Sequence, residues 1–512
     1  MLHVLSRRSV QVLLIGLTAS ALYIPTLAPT VLWNGGDFAE FQTRAARLEI
    51  VPTVWGHPLW VILVHPFTRL PVGDVAYRAN LATALIAALA LALAYLVMRE
   101  LGASAWGSAL GAAALAVSHT FWTYAVMPKS YSLNILILMG AILLLTTDDG
   151  QRTTARYWGR SIFLSGLLLG LGLLSHPLLL TALPGALVYL WLKKPKGGRG
   201  RALAGFLGGF VPGLAPFLAL TIGGGATQST ATVGANFISQ FIRLLLTPSL
   251  WPTALWTFAA CLAYQFLFTL LPGILGLREL WRHNREALVL LGLIYLGDVA
   301  FVWAWLPITP HLNEYIQNLH FYLPSYVLFA LWAAFGFDAL LAQVRQHAHR
   351  GAVLRWGLAA LTLLSPILTY AIAPQVARPY LAQLGQRELP GRDTATYLFS
   401  PWKHTETGAR RLGEAILAHL PADAAIFADW SLYGILRYLQ EVEGQRPDVQ
   451  LSLLPFNGQQ LEPIRAAAAS RPVYIPDVNR YYDMESLSAY FDIVPEGLIY
   501  HLIPRRMGGC TP

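Results

Sequence analysis

Long apolar runs separated by short polar stretches occupy most of the first 374 residues. A helix needs roughly 20 mostly apolar residues to cross a membrane, and about eleven segments fit this description. They cover residues 10–30, 77–98, 104–124, 131–147, 161–175, 177–192, 202–222, 253–277, 287–306, 321–341 and 356–373. The two short runs around Ser175-His176-Pro177 also fit one kinked segment. Residues 59–70 are too few to span and are predicted to lie along the interface.

The pattern changes after residue 374, where charges become frequent and apolar runs become short. Strands are predicted at residues 424–428, 449–453, 471–475 and 498–503, with a helix at 432–441. The sequence therefore predicts a polytopic α-helical membrane domain at residues 1–374, with a first loop at 31–76 on its outer side. A small extracytoplasmic α/β domain is predicted at residues 375–512.

Composition supports a membrane protein, since 55% of the 512 residues are hydrophobic and only 12% are charged. Soluble domains carry about 25% charged residues. The net charge of +9 does not require a nucleic-acid partner, because Lys and Arg collect in cytoplasmic loops of membrane proteins. Placing the N-terminus in the cytoplasm puts most Lys and Arg of the first 374 residues inside. The prediction is a multi-pass protein of the cell (inner or plasma) membrane, with its first loop and C-terminal domain outside.

The first loop is where acidic residues first gather. If FAEFQTRAARLE is helical, Asp37, Glu40 and Arg44 share one face. Asn34-Gly35-Gly36 breaks the preceding helix, so Asp37 stands at a helix start, where its carboxylate can also cap backbone N–H groups. Spacing alone leaves catalysis and capping open for Asp37.

Further polar side chains fall on the predicted outer side: His57, Lys129, Tyr131, Arg243 in the loop 223–251, His311, Glu314 and His320. An acid, a cation and aromatic walls at one membrane face suit a sugar donor carried on a lipid phosphate. The acid would take a proton from an attacking hydroxyl, and the cation would balance the leaving phosphate. In the alternative reading Lys129 snorkels to headgroups and the His/Glu group is an ordinary wet loop. No cofactor is predicted and no metal ligands are assigned, because phosphate-loop, dinucleotide and zinc spacings are missing.

Several dispersed blocks resemble a known family. They are Gly36-Asp37-Phe38-Ala39-Glu40-Phe41, Gly56-His57-Pro58-Leu59, Tyr77-Arg78-Ala79-Asn80-Leu81, Ser118-His119-Thr120-Phe121-Trp122, Tyr131-Ser132-Leu133-Asn134, Phe321-Tyr322-Leu323-Pro324-Ser325, Asp429-Trp430 and Gly444-Gln445-Arg446-Pro447-Asp448-Val449. Together they resemble the protein O-mannosyltransferase-like membrane family, formerly a domain of unknown function, of the GT-C glycosyltransferases. The resemblance implies a GT-C-like fold, a polyprenyl-phosphate sugar donor, and a protein or glycan acceptor at the outer face. It implies that Asp37 is the catalytic base, with Glu40 as the second acid of the motif, and it adds Arg78 to the substrate-binding candidates.

Two departures from the family pattern are visible. The family commonly has His-Pro-Pro-Gly where this chain has Thr53-Val54-Trp55-Gly56, so His57 does not inherit that histidine's role. The family also commonly has Glu where this chain has Lys129. The expected activity is transfer of a sugar, a hexose such as mannose. The alternatives are a lipid-linked sugar translocase or transporter, and a catalytically silent envelope scaffold. Transporters tend to show paired repeats and polar residues near the midplane, and neither is visible here.

Overall fold

The structure is a computed structural model that describes residues 7–53, 55–147, 155–193, 198–224, 227–306, 308, 318–343, 348–383, 387–455 and 459–505. His311 and Glu314 lie outside the described residues. Sixteen α-helices lie between residues 7 and 377 of the described chain. They are α1 Arg7–Tyr23, α2 Phe38–Arg47, α3 Pro58–Val64, α4 Val75–Glu100, α5 Ala105–Ala116, α6 His119–Ala125, α7 Tyr131–Thr146, α8 Ala155–Gly172, α9 Ala182–Leu192, α10 Arg199–Gly223, α11 Thr227–Leu246, α12 Trp251–Phe266, α13 Leu270–His283, α14 Arg285–Trp305, α15 Leu323–Ala342 and α16 Ala348–Ala377.

Seven helices of the described chain are long and apolar enough to cross a membrane, and four shorter apolar helices accompany them. Each segment predicted to span overlaps one of these. Helices α4 and α15 are mostly buried, whereas α1 and α16 leave large apolar side chains such as Leu14 and Leu364 exposed. An apolar surface of this kind is stable against lipid and costly against water. The chain is therefore a multi-pass membrane protein, as predicted.

Three local expectations need correction. The predicted span 253–277 is divided between α12 and α13, because the backbone of Leu267 leaves the helical region, at φ 28°. The predicted span 104–124 is two helices, α5 and α6, because the backbone of Ser118 is extended between them. The stretch 223–251, predicted as a loop, contains the 20-residue helix α11. This helix is amphipathic: Phe237 stacks on Phe241 of the same face and on Phe301 of α14. Because one face is polar, α11 is not among the helices apolar enough to cross a membrane, and the search for apolar runs in the sequence did not find it.

Beyond α16 the chain forms α17 Thr394–Phe399, α18 Gly408–His419, α19 Trp430–Glu441, α20 Leu461–Ala468 and α21 Met484–Tyr490. The strands are β1 Ala425–Ala428, β2 Gln450–Leu453, β3 Val473–Ile475, β4 Phe491–Glu496 and β5 Ile499–Pro504. The four predicted strands and the helix at 432–441 are present. Strand β4 was not predicted, because as an edge strand it alternates weakly and contains Pro495.

The sheet order is β2-β1-β3-β5-β4, with β1 parallel to both β2 and β3. The chain therefore leaves β1 toward β2 and returns to the opposite side of β1 as β3. A crevice opens at the carboxyl ends of parallel strands where the winding direction reverses in this way. Asp429 follows β1 directly and Asp477 follows β3 by two residues, so both acids stand at this crevice. The same edge of the sheet faces the first loop, because Trp430, directly after Asp429, bonds to Asn34 and Asp37, and α19 packs against α2.

Candidate active site

Asp37 is the residue on which the site is built. Its backbone is left-handed, at φ 60°, and its carboxylate makes no capping hydrogen bond to α2. That role belongs to Asn34, whose Oδ1 accepts from the Glu40 N–H at 2.9 Å. Asp37 instead accepts hydrogen bonds from Lys129 Nζ at 2.8 Å and from Trp430 Nε1 at 2.9 Å. The capping interpretation is therefore wrong, and the carboxylate is directed toward side chains from distant parts of the chain.

Lys129 is held within the protein. Its side chain is 8% exposed, and its ammonium lies 4.6 Å from the centroid of the Phe41 ring as well as on Asp37. A lysine that snorkels would keep its charge in water. The snorkelling interpretation of Lys129 is therefore wrong. Lys129, in the turn before α7, forms a charged pair with Asp37, and its ammonium also contacts the Phe41 ring of α2.

The surroundings of Asp37 and His57 determine the charge of each side chain. Burial raises the pKa of the Asp37 carboxyl, but the Lys129 ammonium and the hydrogen bonds from Lys129 and Trp430 together outweigh it and hold the pKa below its usual value. Burial and the Lys129 ammonium lower the pKa of His57 to about 3. At neutral pH the site therefore holds an ionised Asp37 and an uncharged His57.

The position of His57 is fixed by a tight backbone turn that requires glycine at position 56. A Cβ at Gly56 would lie 1.9 Å from the Val51 carbonyl oxygen, so only glycine fits there. His57 itself has φ 50°, and its Nδ1 donates to the Ser175 carbonyl oxygen at 2.5 Å. Left-handed backbones at non-glycine residues persist where the surroundings impose them, often at functional sites.

Aromatic and imidazole rings extend the site away from His57. The His57 ring stacks on His176 at 5.1 Å, and His176 lies 5.2 Å from Tyr131. Tyr131 in turn lies 4.7 Å from His320, whose Nδ1 is 2.7 Å from the Tyr124 hydroxyl. Asp37, His57, Lys129, Tyr131 and His320 are thus brought together. Their position at the outer membrane face stays a prediction. His176 was missed as a member of the site because its His-Pro pair was interpreted only as a break between spans.

A cavity of about 190 Å³ lies next to Asp37, between the first loop, α6 and the C-terminal sheet domain. The flanking residues Gly35 and Phe38 form part of its wall. Thr120 and Thr123 contribute from α6, and Arg387 and Ser431 contribute from the side of the sheet. Phe38 follows Asp37 and Ser431 follows Trp430, so a ligand in this cavity would lie near the hydrogen bond between Asp37 and Trp430.

The remaining predicted residues lie elsewhere. Arg78 donates to the carbonyl oxygens of Thr68, Val72 and Gly73 and so holds the loop before α4. Arg243 lines a separate cavity of about 520 Å³ beside Trp303 and Trp305. The substrate-binding roles of both residues stay predictions.

Glu40 joins the first loop to the sheet domain. Its Oε1 accepts from Arg44 Nε at 2.9 Å and from Arg437 Nη1 at 2.7 Å, and its side chain is 5% exposed. Arg437 also pairs with Glu49 and Glu441. Glu40 is thus neutralised by two guanidinium groups, and its catalytic role stays a prediction.

We expect Glu40→Ala to destabilise the protein by about 1–3 kcal/mol, because Arg44 and Arg437 each lose a hydrogen bond to a carboxylate while Glu49 and Glu441 still compensate Arg437. Thermal unfolding in detergent measures this. Glu462→Ala, which removes an exposed partner of Arg465, is the matched control and should leave the unfolding temperature unchanged. A normal unfolding temperature in Glu40→Ala together with lost turnover would instead support the catalytic role of Glu40.

The fold and the site define a multi-pass membrane protein of GT-C-like architecture. The fold is that of ArnT from Cupriavidus metallidurans, solved bound to undecaprenyl phosphate and in the apo state. Both structures match with a TM-score of 0.54 and 14% identity, over 96% of this chain and 97% of theirs. The GT-C-like fold class predicted from the sequence is confirmed.

The resemblance noted in the sequence is also confirmed. The family model described as "Protein O-mannosyl-transferase TMEM260 N-terminal domain" matches residues 37–198, a range that begins at Asp37. The chain is similar to the mouse (Mus musculus) protein named "Protein O-mannosyl-transferase TMEM260", with 25% identity over 463 residues. The match covers 85% of this chain and 61% of the mouse protein.

Proposed function

We propose that this protein is a GT-C-type glycosyltransferase. It would move a sugar, a hexose such as mannose, from a polyprenyl-phosphate donor to a hydroxyl of a protein or glycan at the outer face of the membrane. The observation that carries the proposal is the pair formed by the Asp37 carboxylate and the Lys129 ammonium, 2.8 Å apart, with a cavity lined by the next residue, Phe38. The name of the mouse relative and the lipid phosphate bound to ArnT support the same reaction class.

In this mechanism each member of the pair has one task. The acceptor oxygen attacks the anomeric carbon while the ionised Asp37 carboxylate accepts the hydroxyl proton. The bond from that carbon to the phosphate oxygen breaks, and its electron pair leaves with the phosphate. The Lys129 ammonium stabilises the charge that develops there. Attack opposite the leaving group inverts the configuration at the anomeric carbon.

The order of binding also follows from the pair. Without donor, the ammonium is engaged by Asp37. An arriving phosphate competes for the same ammonium and so makes the carboxylate available to an acceptor hydroxyl. Purified protein incubated with a panel of polyprenyl-phosphate sugars tests the proposal, with hydrolysis and transfer as readouts. Donor movement between leaflets without either reaction would favour the translocase.

The proposal requires the sheet domain and the first loop to face outward, with the membrane domain ending near residue 374, inside the last turn of α16. In a Cys510→Ser background, Ala489→Cys places a thiol on the exposed surface of α21, and Arg282→Cys places one in the exposed last turn of α13. We expect an impermeant thiol reagent to label Ala489→Cys on intact cells and Arg282→Cys only after permeabilisation. The reverse pattern would contradict the proposed topology.

A further inference from the structure

The cavity beside Asp37 contains buried hydroxyl groups that have no partner in the described part of the chain. They belong to Thr120, Thr123 and Tyr397, which are 1%, 7% and 9% exposed. Buried threonines in helices usually donate to a carbonyl oxygen one turn back, as Thr43 and Thr83 do here. A buried polar group left without a hydrogen bond is costly, so these three hydroxyls point to a ligand or ordered water.

The opposite wall of the cavity is the crevice at the carboxyl ends of β1 and β3. Arg387 lines it and is held in place by Asp429, at 3.0 Å, and by Asp477. Because both acids hold this guanidinium in place, it offers hydrogen-bond donors in fixed positions. Tyr481 adds a ring surface to the cavity from the sheet domain, and Phe38 adds one from the first loop.

The lining therefore combines aromatic rings with several hydrogen-bonding groups, among them the hydroxyls above and the guanidinium groups of Arg387, Arg392 and Arg480. A sugar ring has matching surfaces, because its C–H faces are apolar and its edge carries several hydroxyls. Pockets for drug-sized ligands measure about 300–1,000 Å³, so a cavity of about 190 Å³ suits a single small ring. A serine or threonine side chain brings one hydroxyl and would leave most of the buried groups unsatisfied.

The two oxygens of the Asp37 carboxylate have different partners, and one of these partners is next to the cavity in the chain. Lys129 bonds to Oδ2, whereas Trp430, which lies between Asp429 and the cavity residue Ser431, bonds to Oδ1. We propose that this cavity is the acceptor subsite and that the acceptor is a saccharide, whose hydroxyl is presented to Asp37. This assignment rests on the proposed function, with the donor phosphate on the Lys129 side.

Saccharide binding can be measured on the full-length protein in detergent without any donor. The probes are methyl α-D-mannopyranoside and N-acetylthreonine amide, followed by saturation-transfer NMR. We expect saturable binding of the mannoside and none of the threonine derivative. Thr123→Val and Tyr397→Phe each remove one hydrogen bond and should weaken mannoside binding roughly 2- to 10-fold. Thr83→Val, a buried threonine away from the cavity, is the matched control and should bind normally.

Each other outcome has a definite meaning. Mannoside binding that is absent, or equal in the cavity variants and the control, would overturn the subsite and leave water as the occupant. Saturable binding of the threonine derivative alone would assign the cavity to a protein acceptor. Donor hydrolysis that falls in parallel with mannoside binding would assign it to the donor sugar. Asp37→Asn distinguishes the saccharide subsite from the transferase activity, because this variant should keep mannoside binding while transfer is lost. If the wild-type protein binds the mannoside but shows no turnover, only the proposed transferase activity is refuted.

Discussion

Asp37→Asn is expected to lower turnover of a polyprenyl-phosphate sugar by about 10²–10⁴-fold, the usual cost of losing a general base. Asparagine keeps the shape of the side chain and an oxygen that can accept the Trp430 N–H bond, so the contact with the sheet domain survives. It has no negative charge with which to take up a proton. Donor binding should persist, because the Lys129 ammonium loses its competitor for phosphate. Initial rates of transfer, together with donor affinity, measure both effects.

The matched control is Glu49→Gln, which removes the charge of another first-loop acid that pairs with Arg437. Its turnover should stay within a small factor of wild type. An Asp37→Asn protein that folds normally and turns over at the wild-type rate would contradict the assignment of the base to Asp37. The role would then pass to Glu40, the second acid of the motif.

The membrane part of the fold was largely predictable because its signal is local. Each apolar run predicts a helix without reference to the rest of the chain, and the predicted spans overlap helices of the structure. Where the signal is weaker, prediction failed. Helix α11 has an apolar stripe rather than an apolar run, and α5 and α6 are separated by one extended residue within a continuous run.

The site was predictable only in part, for a similar reason. Residues of the first loop and Lys129 could be placed at the same membrane face from topology. Topology alone does not reveal which of them touch, and the Asp37–Lys129 pair depends on the packing of α2 against the turn before α7. The bond from Trp430 spans 393 residues of sequence. It depends on how the sheet domain docks, and no local pattern encodes that contact.

Lys129→Gln tests the other half of the pair. Removing a preorganised charge at a developing anion typically costs about 10²–10³-fold in rate, and donor affinity should fall with it. Lys129→Arg should retain part of both, because the charge survives while the geometry changes. The pH profile gives an independent readout. Burial raises the Asp37 pKa and Lys129 opposes it, so loss of the ammonium should move the acidic limb of the turnover profile to higher pH.

Lys129→Glu distinguishes an active site of altered charge from a silent protein, because Glu is the residue that the resemblance to the O-mannosyltransferase-like family leads us to expect at this position. In this structure the new carboxylate would lie beside Asp37 and against the Phe41 ring, where the ammonium now sits. Two carboxylates at such a distance cannot both ionise easily, so one would hold a proton and the donor phosphate would meet negative charge. Turnover should therefore fall at least as far as in Lys129→Gln, with a matched loss of donor affinity. Turnover above that of wild type would mean that the pocket functions with an acidic residue at position 129. The hypothesis that the protein with Lys129 is a catalytically silent scaffold would then replace the proposed transferase.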